Sequence, residues 1–129
     1  MPPFPFDDWR NLERLVYYAP LWDEKLNKSP FPSQDFYHHS CTVTGATWGT
    51  TGRTFNGTSD FISAGNPTAL QITGAFSVEV WFKPTALGGN NKGIVIKGDN
   101  VATQALAGWG LLRNEIGTPN VCDTLTIQL

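Results

Sequence analysis

The stretch FSVEVWFKP, residues 76–84, decides the fold. Its side chains alternate in character. Phe76, Val78, Val80 and Phe82 fall on one face of an extended chain, and Ser77, Glu79, Trp81 and Lys83 on the other. A period of two is what a β-strand produces, because successive Cβ atoms point to opposite faces of a sheet. Pro84 stops the run, having no N–H to give to a ladder. The apolar set predicts a core face, and the polar set a row on the sheet surface.

Outward from this strand, short β segments alternate with turn residues. Downstream, LGGNNK (87–92) reads as a loop whose Gly and Asn suit positive φ, followed by the strand GIVIK (93–97) and a turn at Gly98-Asp99. GWGLLR (108–113) and TLTIQL (124–129) are the last predicted strands. Upstream, CTVT (41–44) ends at Gly45, residues 53–55 end at Asn56-Gly57, and DFIS (60–63) runs into Ala64-Gly65-Asn66-Pro67. LVYYA (15–19) predicts a first strand ended by Pro20. Residues 20–40 hold three prolines, the charged WDEKLNK and His38-His39, and predict a long irregular connection with the histidine pair in solvent. A turn about every ten residues is the pattern of a sandwich or jelly roll.

Composition agrees. The chain has 129 residues, enough for one core, with 13 Gly and 9 Pro. Charged residues are 16% and the net charge is −2, so no basic patch exists to hold nucleic acid. No apolar run approaches the ~18–20 residues that cross a bilayer, which argues against membrane insertion. The start, MPPFPFDDWR, lacks the basic and continuous apolar regions of a Sec signal peptide. An extracellular or virion-surface location therefore implies another route, a virus particle, or prior processing. Cys41 and Cys122 stand far apart, without a CxxC or a Cys/His cluster. They are either two buried thiols or one disulfide, which would stabilise by roughly 4 kcal/mol in the chain-entropy picture.

The series TGATW, RTFNGTSDFISAG, FSVEVWFKP, GIVIKGD and GWGLLRN resembles the laminin-G-like branch of the concanavalin A-like lectin/glucanase superfamily. The resemblance spans about residues 15–116. It implies an all-β, two-sheet antiparallel jelly-roll sandwich over residues 14–129, preceded by an extended arm at 1–13. It does not imply one function, because this fold hosts lectins, glycosidases, adhesion modules and virion decorations.

The superfamily's glucanases carry alternate carboxylates along one strand, giving an acid and a nucleophile for glycoside hydrolysis. Here Glu79 is followed on its face by Trp81 and Lys83, so the partner carboxylates are missing. A non-enzymatic protein is expected. The family's acidic turn helps bind calcium. In FNGTSDF (55–61) only Asp60 remains acidic, which leaves Asp60 a weak calcium candidate and otherwise no cofactor. Asn56-Gly57-Thr58 is an N-glycosylation sequon, as is Asn27-Lys28-Ser29 ahead of an unfavourable Pro30. Glu79, Trp81 and Lys83 form a candidate glycan contact, with Trp81 offering a face to a sugar ring; the alternative is packing beneath a covering loop. Trp48 and Trp109 read as core or rim.

The arm places Pro3, Phe4, Phe6 and Trp9 on a proline-stiffened segment. Its aromatics need a surface, either the chain's own sheet or a neighbouring subunit. TLTIQL, with no further strand after it, is expected to expose a sheet edge, so that either the domain is cut short at its C-terminal end or something else covers that edge. Together these predict a homo-oligomer, filamentous if the contacts do not close, acting as a structural subunit of a fibre, fibril or decoration layer. The alternative is a carbohydrate-binding adhesion module.

Overall fold

The computed structural model describes residues 14–84, 92–98, 109–114 and 124–128. These are mostly strands in antiparallel sheets, with short 3-10 turns at Glu24–Leu26 and Thr68–Leu70. The all-β character expected from the turn spacing is present. Among the described residues no helix is long and apolar enough to cross a membrane. The arm with Pro3, Phe4, Phe6 and Trp9, and Cys122, lie outside the described residues. The chain divides into two compact units, Met1–Val78 and Glu79–Leu129.

In the first unit the strands are β1 (Phe31–Pro32), β2 (Ser40–Thr44), β3 (Thr47–Gly49), β4 (Gly52–Thr54) and β5 (Phe61–Ser63). β2 lies between β1 and β5, with Phe31 opposite Cys41 and Val43 opposite Ile62. The alternation of β2 turns Cys41 and Val43 inward, where Cys41 joins Leu26 and Phe31 in a fully buried cluster. Tyr17, Ala19, Leu21, Ile62 and Ala64 pack around it. Asp23 caps the turn that delivers Leu26, its carboxylate accepting from the Lys25 N–H at 2.9 Å. The charged look of WDEKLNK conceals this buried leucine.

β3 and β4 form a hairpin closed by Thr50-Thr51, with Gly49 opposite Gly52 and Trp48 opposite Arg53. Gly52 has φ 132°, a conformation open to glycine. Arg53 reaches out of the hairpin and donates to three carbonyls: Leu26 at 2.6 Å, Ala46 at 3.0 Å and Lys28 at 3.2 Å. Its guanidinium carbon also stands 5.7 Å from the Phe31 ring centroid. One arginine thus joins the hairpin, the 3-10 turn and the core, and burial lowers its pKa from the ordinary value. Two donors on this hairpin, Arg53 Nε–H and Trp48 Nε1–H, are buried without an acceptor among the described residues.

In the second unit β6 (Lys92–Lys97), β7 (Trp109–Asn114) and β8 (Thr124–Gln128) form an antiparallel sheet with β7 central. Val95 faces Leu111 and Leu111 faces Ile127, with an irregularity between Gly93 and Val95. Leu111 is buried.

Two predicted strands are not strands. Residues 15–19 lie beside the loop 33–39, which offers them two side chains and one backbone N–H in place of a ladder. Tyr18 N–H donates to the Asp35 carboxylate at 2.9 Å, Gln34 N–H to Tyr18 O at 2.7 Å, and the Val16 carbonyl meets His39 Nε2 at 2.9 Å. Residues 76–84 are not assigned to any strand either. The face predicted as core is open there: Val78 is 41% and Phe82 49% exposed. Alternation makes a strand competent, but a ladder partner makes it a strand.

Candidate functional site

Among the described residues, three places hold the chemistry-bearing side chains. The first is a polar cluster under the loop 33–41, where Ser33, Asp35, His39 and Cys41 are all buried. This corrects the expectation of a solvated histidine pair. His38 is exposed, with φ 48° and its Nδ1 3.2 Å from the Ser33 carbonyl. His39 is inside, stacked against Tyr37 (centroids 5.6 Å apart, planes at 4°) and more loosely against Tyr17 (6.4 Å, 19°).

The residue types here are those of a nucleophilic triad, but their atoms are engaged elsewhere. Ser33 Oγ accepts the His39 backbone N–H at 2.8 Å. The Asp35 oxygens accept the backbone N–H groups of Tyr18 and Tyr37, each at 2.9 Å, and the imidazole of His39 reaches the Val16 carbonyl. No serine–imidazole–carboxylate relay is assembled. Cys41 is a free thiol, its S–H donating to the His39 carbonyl at 3.3 Å, with the Tyr17 hydroxyl 3.6 Å away. Burial pushes the Cys41 thiol up and holds the Tyr17 phenol far above its ordinary value, with the Asp35 charge adding to both. A thiol kept protonated is a poor nucleophile. The cluster is a structural staple between residues 16–18 and the loop.

The second place is the turn 55–61. Asn56 Oδ1 accepts three backbone N–H groups, from Thr58 and Ser59 at 2.9 Å and from Asp60 at 3.1 Å. Its amide donates to Ser59 Oγ, and its own N–H goes to Asp60 Oδ2, both at 2.9 Å. Gly57 takes φ 72°, as the Asn-Gly turn predicts. Asp60 therefore closes the turn with one oxygen and lies with the other against Gly45. The sequon residues Asn56, Gly57 and Thr58 are exposed.

The third place is residues 79–83. Trp81 is 86% exposed, and its indole N–H donates to Glu79 Oε1 at 2.9 Å. That contact brings together two of the three residues proposed for one face. Lys83 is exposed nearby in sequence. The bond fixes the ring's edge while leaving its faces open to a partner.

Comparison of the chain with protein-family models, curated proteins and solved structures returned no significant match.

Sequence reasoning missed Ser33, Asp35 and His39 as buried residues, and Arg53 as a clamp. Their partners lie far along the chain, such as Tyr18 for Asp35 and Leu26 for Arg53, so no local pattern marks them. The hairpin 47–54 did leave a signal: two threonines between two glycines, in the length a tight hairpin requires.

Proposed function

We propose that the chain is a non-enzymatic structural subunit of an extracellular or virion-surface assembly, a fibre, fibril or decoration layer, built on a laminin-G-like jelly roll. The carrying observation is the segment 76–84. The segment has the strongest strand alternation in the sequence, the backbone of Glu79, Trp81 and Lys83 has no hydrogen-bond partner among the described residues, and three large apolar side chains, Val78, Trp81 and Phe82, are open to solvent. Apolar groups and unpaired backbone side by side favour a contact with another subunit. The engagement of Ser33, Asp35, His39 and Cys41 in structural bonds supports a role without catalysis. In this reading the proline-rich arm supplies a further subunit contact through Pro3, Phe4, Phe6 and Trp9.

Sedimentation velocity across a concentration series, with electron microscopy of the same material, tests the proposal. Oligomers or filaments are expected, and removal of residues 1–13 should release smaller species. A wild-type chain that stays monomeric at high concentration overturns it.

A second reading is favoured by the geometry of Trp81. An open indole held by Glu79 is the platform a sugar ring stacks on. Under that reading Trp81→Ala abolishes retention on glycan arrays while deletion of residues 1–13 leaves it intact.

A further inference from the structure

We infer that residues 78–84 form a two-fold contact, pairing antiparallel with the same segment of a second copy about Trp81. The inference rests on the assembly reading above and names its partner and register. Centring the pair on Trp81 sets Glu79 opposite Lys83 of the second copy, and Lys83 opposite that copy's Glu79. Val80 then faces Phe82, and Val78 faces Pro84. The segment is complementary to itself in charge, as an isologous interface requires. A shift by one residue would put Glu79 and Lys83 opposite residues of the apolar face.

The hydrogen-bond phase follows from Pro84. Antiparallel pairs alternate between those that exchange both N–H···O bonds and those that exchange none. If the Trp81 pair exchanges bonds, so do the Glu79–Lys83 pairs, and Pro84 falls in a pair that needs no N–H. In the other phase the proline would remove a bond at each end. The backbone groups required, those of Glu79, Trp81 and Lys83, have no hydrogen-bond partner among the described residues.

The side chains suit the same arrangement. Glu79 gives Oε1 to its own Trp81, leaving Oε2 for the second copy's ammonium group. The two Trp81 rings meet across the axis, where aromatic pairs stabilise a sheet. On the opposite face Val78, Val80 and Phe82 of both copies form one apolar strip. Glu79 and Lys83 at the ends favour a second copy over an uncharged ligand.

Sedimentation equilibrium of the full chain tests this with Glu79→Lys, Lys83→Glu and the double exchange. Each single change turns both charge pairs repulsive and should weaken association by about 10-fold or more. The double exchange should restore it, as should mixing the two single variants, whose charges complement each other. As a direct probe of register, Trp81→Cys in a Cys122→Ser background should oxidise to a covalent dimer, because the paired Cα atoms would stand about 5.5 Å apart. Phe82→Cys in the same background should not. Single variants that associate like wild type, or a double exchange that fails to recover, overturn this contact while leaving the assembly reading standing. Loss of glycan binding without a change in sedimentation assigns the segment to a sugar and also overturns it. A wild-type chain without any association overturns both.

Discussion

Gly45 lies against the carboxylate of Asp60 so closely that a Cβ at Gly45 would land on the carboxylate itself. Gly45 also has φ 75°, in the left-handed region. It ends β2 while Asp60 precedes β5, so the contact seals the paired ends of two neighbouring strands, where Thr44 faces Phe61. Gly45→Ala should destabilise the protein by about 2–3 kcal/mol, combining backbone strain with the clash. Asp60→Ala in the same chain should recover part of the loss. Urea unfolding of the two single variants and the double gives the coupling directly.

Arg53 supplies a different kind of tie. Its guanidinium serves the carbonyls of Leu26, Lys28 and Ala46 at once, a geometry that a single ammonium cannot reproduce. Arg53→Lys should therefore cost about 1–3 kcal/mol although the charge is kept. Thermal unfolding measures the loss, and hydrogen exchange should place it in residues 24–28 and 46–54.

Asp35 is buried and carries two backbone N–H groups, those of Tyr18 and Tyr37. Asp35→Asn keeps one acceptor and turns an amide N–H toward a donor. The expected loss is about 1–3 kcal/mol, with faster amide exchange at Tyr18 and Tyr37 as the site-specific readout. An unchanged exchange rate at both amides would show that the carboxylate does not hold them.

Alkaline pH attacks the same cluster. Tyr17 and Cys41 have folded-state pKa values raised above their ordinary 10.0 and 9.0, chiefly by burial. Above those ordinary values the unfolded chain releases protons that the folded chain retains, so stability falls as pH rises. It is fully present below about pH 9 and declines above, by at most about 1.4 kcal/mol per pH unit for each proton. Tyr17→Phe should move the alkaline unfolding midpoint upward relative to its own neutral stability. Tyrosinate absorbance in the wild type should appear together with loss of circular dichroism for one tyrosine.

Much of the fold was legible because its punctuation is local. Gly45, Gly57, Gly65 and Gly98 all have positive φ where the sequence placed turns, and the strands at 40–44, 61–63, 92–97, 109–114 and 124–128 follow the predicted runs within a residue or so. Residues 15–19 misled because β-branched and aromatic content reports a suitable surface and not a partner. The loop 20–40 misled in the opposite sense. Its prolines and charges look solvated, yet Pro20, Leu26, Phe31, Ser33, Asp35 and His39 are buried. Polar groups that enter a core through distant backbone partners leave no periodic trace. At residues 79–83, Glu79 and Trp81 do meet through a hydrogen bond, but outside any strand, so the bond does not report the alternation that placed them on one face.

The openness of Trp81 also makes it an optical reporter. Trp48 and Trp109 are half-buried, so covering Trp81 in a complex would shift emission from an indole that begins in water. Trp22 is the other exposed indole among the described residues, and Trp22→Phe removes its background. A blue shift with rising protein concentration would then time the first encounter of two chains, before any larger particle scatters light.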